Sequence, residues 1–129
     1  MATISGVGCN PQLVGGFKSS ADYSSAATNL FMYVTDDMIL TTAGAGAKAI
    51  GIRMNKPNTG EAVEFAIGGT ALLKIGSGGC TQNDYLKSDA SGQGVVAGTT
   101  KDIFCAIALQ DGAEGDEVMV LVCIGVLNI

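Results

Sequence analysis

From Leu30 onward, apolar and polar positions alternate with a period of two, as they do along half-buried strands. LFMYVT (residues 30–35), a turn at Asp36–Asp37 and MILTT (38–42) predict a hairpin. AGAGA (43–47) is a flexible link. In AIGIRM, Ile50, Ile52 and Met54 share one face, while Ala49, Gly51 and Arg53 share the other. NKPNTG is a loop in which Pro57 ends the ladder and Asn58–Gly60 supply turn conformers. Val63, Phe65 and Ile67 then line one face against Ala62, Glu64 and Ala66. Beyond Gly68–Gly69, Ala71, Leu73 and Ile75 repeat the arrangement against Thr70, Leu72 and Lys74. The reading is two half-buried strands joined across a glycine hinge.

Thr81 and Asp84 have the spacing of a capping box, with Asp in place of Glu or Gln, so at most one helical turn starts there. A hairpin turning at Asp89–Gly92 follows. IFCAIAL (103–109) and EVMVLVCI (117–124) are apolar on both faces, which predicts central strands, either covered on both sides or buried at a subunit contact. A shift of 55 residues brings Ile52 onto Ile107, Gly60 onto Gly115, Glu61 onto Asp116 and Val63 onto Val118. That echo is either a chance likeness between two hairpins or an internal pseudo-repeat. The predicted fold class is all-β: a small β-barrel or β-sandwich with little helix and an extended N-terminal arm.

The arm is residues 1–29, preceding a β domain over 30–129. Lys18 and Asp22 are its only charged residues, and small side chains dominate it. Such a segment buries too little apolar surface to offset an ordering cost of ~1–2 kcal/mol per residue. It is either a loose terminus or an arm that orders against a neighbour, with Leu13, Val14, Phe17 and Tyr23 as anchors. The scarcity of charge favours the arm, since a solvating tail would carry more. On that reading, deleting residues 2–24 leaves a folded domain that has lost its binding.

Composition sharpens the strand reading. Nineteen glycines in 129 residues is about twice the usual ~7%, and suits short strands joined by tight turns. The net charge is −5, and the seven basic residues are scattered singly, so no direct nucleic-acid binding is expected. The apolar run Val118–Leu127 is too short to cross a bilayer as a helix, so no membrane partner is expected either. MATISGVGCN lacks the basic and apolar regions of a secretory signal. Without such a signal, Cys9, Cys80, Cys105 and Cys123 are expected to stay reduced, and none forms a CxxC pair.

Candidate chemistry is sparse. There is no histidine, the usual acid–base partner, and no SxxK or GxSxG motif around a nucleophile. AGAGAKA matches neither GxxxxGK[ST] nor GxGxxG. The carboxylate pairs Asp36/Asp37, Glu61/Glu64, Asp111/Glu114 and Asp116/Glu117 fall in predicted turns or on exposed strand faces, where solvated turn chemistry outweighs glycosidase chemistry. DASGQ is too short and ligand-poor for a calcium loop. No enzymatic activity, cofactor or metal is expected.

The order of these segments is more specific than any one of them. IGIRMNKPNTGEAVEFAIGGTALLKIGSGG, then NDYLKSDASGQGVV, then IFCAIALQDGAEGDEVMVLV, over about residues 30–124, resembles the capsid cement (head decoration) proteins of tailed bacteriophages. The shared features are an NKP loop, a Gly-acidic strand, a G-T-x-L strand, an L-x-S-D-A-x-G turn, an A-L strand and a final Gly-acidic strand. The resemblance implies a non-enzymatic β protein, made in the bacterial host cytoplasm, that binds the outer surface of the virion capsid. It further implies a homotrimer at three-fold positions that clamps neighbouring major capsid protein subunits. Two other classes are weighed against it. One is a receptor- or glycan-binding module on the virion head or tail, which a cluster of exposed aromatics would favour. The other is a hydrolase using two convergent carboxylates.

Overall fold

The computed structural model describes residues 10–128. Two short strands, β1 (Pro11–Val14) and β2 (Lys18–Ser19), precede the hairpin of β3 (Phe31–Asp36) and β4 (Ile39–Thr42). β5 (Gly51–Arg53) and the long β6 (Phe65–Lys74) follow, then the hairpin of β7 (Tyr85–Ser88) and β8 (Gly94–Val96). β9 (Ile103–Ala108) and β10 (Glu117–Val126) close the chain. No helix occurs among the described residues. The strands hydrogen-bond in the order β2-β4-β3-β5-β6-β10-β9-β7-β8, with β1 also on β6. The all-β class read from the sequence holds, as one continuous sheet. A parallel bridge between Ile75 and Gly94 brings β8 back to the end of β6, so the second half curls on itself.

β6 is where the sheet changes direction. The two strands read from its sequence are one strand, bent at the expected glycines. Its first residues pair with β5 and β1, and Thr70–Lys74 pair with β10. Gly69 sits at φ +69°, and a Cβ there would lie 2.3 Å from the Asn10 carbonyl oxygen. The β1 register skips Ile67, pairing Leu13 with Ala66 but Gln12 with Gly68. That bulge reverses the alternation, so Ile67 is 41% exposed although the pattern placed it with Val63 and Phe65 inside.

Two apolar clusters result. The main core joins Phe31, Ile52 and Ala66 to Ala71, Leu73, Ile75, Leu86, Ala106, Val118 and Val120. A smaller cluster of Met32, Leu40, Val63 and Phe65 is covered by Val14, Phe17 and Tyr23. Ile50 packs with the smaller cluster while Ile52 faces the main core, because the strand begins only at Gly51 and the alternation does not reach back to Ile50. Residues 10–29, read as an arm for a neighbour, thus lie on their own domain. Ser19 donates to the Glu61 carbonyl, Ser20 to that of Leu40 and Tyr23 to that of Pro57, all through their backbone N–H groups. Residues 1–9, the rest of the arm, lie outside the described residues.

One turn recurs ahead of β6, β7, β9 and β10. In residues 58–61, 81–84, 99–102 and 113–116 the fourth N–H donates to the first carbonyl, at 3.0–3.1 Å. The fourth side chain, Glu61, Asp84, Asp102 or Asp116, accepts back from the first N–H at 2.7–3.1 Å. The third residue has positive φ in every case: Gly60, Asn83, Lys101 and Gly115. Asp84 thus accepts the Thr81 N–H as the acidic residue of a capping box would, but the return bond runs to the Thr81 carbonyl and the turn enters a strand. The 55-residue echo is two of these four turns. Because the other two fall at unrelated spacings, the echo reflects a repeated way of entering a strand.

Candidate functional site

The four anchor candidates divide. Phe17 meets Phe65 edge-on, with ring centroids 5.2 Å apart. The Tyr23 ring lies 4.4 Å from the Arg53 guanidinium carbon. Its hydroxyl shares a 2.9 Å hydrogen bond with Thr41 Oγ1 and accepts from the Thr42 N–H at 3.1 Å. Burial raises the Tyr23 phenol, and its hydrogen bonds with Thr41, Thr42 and Ser20 together bring it below its ordinary value. Val14 is half-buried opposite Phe65. Leu13, one residue earlier on β1, points outward and is 51% exposed. Alternation along β1 explains the division: Leu13 and Val14 must face opposite ways.

A second surface emerges from the central strands. Register places Thr70, Leu121, Ile107 and Tyr85 in one row across β6, β10, β9 and β7. Cross-strand partners project to the same face, as do residues two apart on a strand. Leu72, Met119 and Leu109 therefore extend that face by a second row, the Leu109 N–H donating to the Met119 carbonyl. The intervening rows, Ala71–Val120–Ala108 and Val122–Ala106–Leu86, form the buried side. On the outer side, Leu121, Tyr85 and Leu109 are 40%, 41% and 41% exposed. Phe104 leans against Tyr85, with ring centroids 4.5 Å apart, over a Gly125 whose Cβ would lie 2.4 Å from that ring. Met119 in the second row is buried, so this face of the doubly apolar strands is open at Leu121, Tyr85 and Leu109 rather than along its whole length. The apolar character of both faces was the signal that could have singled out Leu121, Ile107 and Leu109.

The remaining candidates do not converge. The expected pairs at Asp36/Asp37, Asp111/Glu114 and Asp116/Glu117 lie at turns or strand entries, and Glu61 closes a turn. Cys80, Cys105 and Cys123 are free thiols, each raised by burial. Cys9 lies outside the described residues. Among the described residues no cavity opens, and no three His, Cys, Asp or Glu side chains converge as a metal site would require.

No family model and no curated protein matches this chain. Among solved structures it is similar to the N-terminal base of the head fiber protein gp8.5 of bacteriophage phi29. The TM-score is 0.63 at 14% identity, over 87% of this chain and 95% of that one. At that identity the likeness is one of fold.

Proposed function

We propose that this protein is a non-enzymatic structural component of a bacteriophage virion, bound to the outside of the head. The observation that carries the reading is the fold shared, over most of both chains, with the base of a phage head fiber. The order of motifs over residues 30–124 supports it independently, since that order resembles the capsid cement proteins. In the finer form of the proposal the protein self-associates, as a trimer at three-fold positions, and clamps neighbouring major capsid subunits. Many weak contacts made at once raise avidity by ~10²–10⁴ where geometry lets them engage together.

Within this reading, Leu13 is the anchor candidate left available to a capsid subunit. Val14, Phe17 and Tyr23 are already engaged with the smaller cluster. A glycan-binding module is less well supported. Tyr23 is committed to Arg53, Tyr33 packs on the main core and Tyr85 meets Phe104 at a tilt, so these tyrosines form no common platform.

The test is cosedimentation with capsids of the parent phage that lack this protein, alongside a density map of the intact particle. The full chain is expected to pellet with the shell, and Leu13→Glu to bind at least tenfold more weakly while keeping its melting midpoint. Density for the protein on the tail, or none on the shell, would overturn the proposal.

A further inference from the structure

The outer face of β6, β10, β9 and β7 carries Leu72, Ile107, Leu121, Leu109 and Tyr85, the last three exposed, with Met119 buried among them. Beyond Leu121, β10 leaves β6 and continues against β9 alone. Over Val122–Val126 one strand edge therefore carries no ladder among the described residues. That stretch holds no charge and no proline, and Val126 is 63% exposed. Soluble proteins guard such edges with lysine, proline or a covering element, because an open apolar edge pairs with other chains.

Charge says what can cover it. Lys74 and Glu117 are register partners at one end of the face. At the other, Lys87 Nζ lies 3.0 Å from Asp102 Oδ2. These two opposite-charge pairs balance each other at the two ends of the face, whereas the chain as a whole carries −5. A second copy, equally acidic, therefore meets less like-charge repulsion between these balanced pairs than the net charge of the chain would impose.

From these observations we infer that the open face of β6–β10–β9–β7, with the free edge of β10 at its margin, is the surface through which copies of this chain associate. The inference takes self-association from the proposed virion role and adds the surface and residues that carry it. Its occupant is a second copy, with this face buried against it.

The test is sedimentation velocity of the full chain over a range of concentrations. The wild type is expected to sediment as a multiple of its 13.0 kDa mass. Leu121→Lys and Leu109→Lys should associate at least tenfold more weakly. Val34→Lys, which changes an exposed residue on β3, should associate as the wild type does. Circular dichroism checks the fold of each variant. Hydrogen exchange on the wild type gives a readout that needs no variant: protection of the Val122–Val126 amides should fall on dilution. Monomer at every concentration, or association unchanged in Leu121→Lys, would overturn the inference. A monomer that still binds capsids would overturn it and leave the virion role standing. A chain that associates through this face but never joins a capsid would do the reverse.

Discussion

Among the described residues, Arg53 is the largest fully buried side chain. Its Nη2 donates to the Ala27 carbonyl and its guanidinium stacks on Tyr23, while Nε and Nη1 have no hydrogen-bond partner. Burial lowers its pKa and Tyr23 opposes that shift. The favourable terms are a cation–π contact of about 0.5–2 kcal/mol and a charged hydrogen bond of about 1.5–3 kcal/mol. Against them stand two unsatisfied donors at about 1–3 kcal/mol each. The terms nearly cancel, so Arg53→Met, which fills the space without the charge, should change stability by no more than about 1 kcal/mol. Arg53→Ala leaves a cavity and should cost about 2–5 kcal/mol. Urea midpoints for the two variants decide the matter, and equal losses would refute this account. Alternation set Arg53 opposite Ile52, and the structure agrees. What the pattern could not convey is depth. Only the fold reveals that Tyr23, thirty positions earlier, roofs that face.

At the scale of elements, the four acidic turns explain why strand positions were legible. A residue at positive φ followed by Asp or Glu marks each of these four strand entries, and Gly60–Glu61 and Gly115–Asp116 stand out even without coordinates. Thr81 and Asp84 carry the spacing of a helix-opening capping box because the acidic side chain accepts the first N–H in both settings. Lys101–Asp102 passed unnoticed because lysine gives no turn signal. That lysine sits at φ +74°, where a Cβ-bearing residue is disfavoured by roughly 1–2 kcal/mol. Lys101→Gly removes that strain but frees the unfolded chain, so a net gain of about 0.5–1 kcal/mol is expected in chemical denaturation. No gain would show that Lys101 bears no strain. Asp102 in the same turn makes a pH prediction. The Lys87 hydrogen bond, then the Thr99 N–H, holds its carboxyl below the ordinary value. A depressed carboxyl adds stability above its unfolded pKa of about 3.9, lost as pH falls through the lower folded value. Asp102→Asn should therefore melt below the wild type at neutral pH, with the gap closing in acid below about pH 4. A gap independent of pH would exclude the charged pairing as its source. The bend in β6 was half legible: Gly68–Gly69 marked it, but the bulge that turns Ile67 outward depends on β1, a partner more than fifty residues away.

For the whole molecule, the consequential feature is where residues 10–29 lie. Sparse charge marked them as a segment that needs a partner to order. The partner in the structure is the smaller cluster of the same chain. This changes what a truncation tests. Removing residues 2–24 takes Val14, Phe17 and Tyr23 off Met32, Leu40, Val63 and Phe65. Full burial of one large apolar side chain contributes about 1.5–3 kcal/mol. These three are only half-buried, so the combined loss should be about 3–5 kcal/mol, within a total that is typically about 5–15 kcal/mol. The truncated chain should therefore unfold at a markedly lower urea concentration and aggregate through its uncovered cluster. A midpoint matching the full chain would mean that the deleted segment adds nothing to the domain. Loss of capsid binding on truncation would then reflect either a missing contact or a failing fold, and the deletion cannot separate the two. Leu13→Glu can, because Leu13 points away from the cluster that Val14, Phe17 and Tyr23 cover. A capsid contact made by β1 predicts that this variant binds weakly and melts normally.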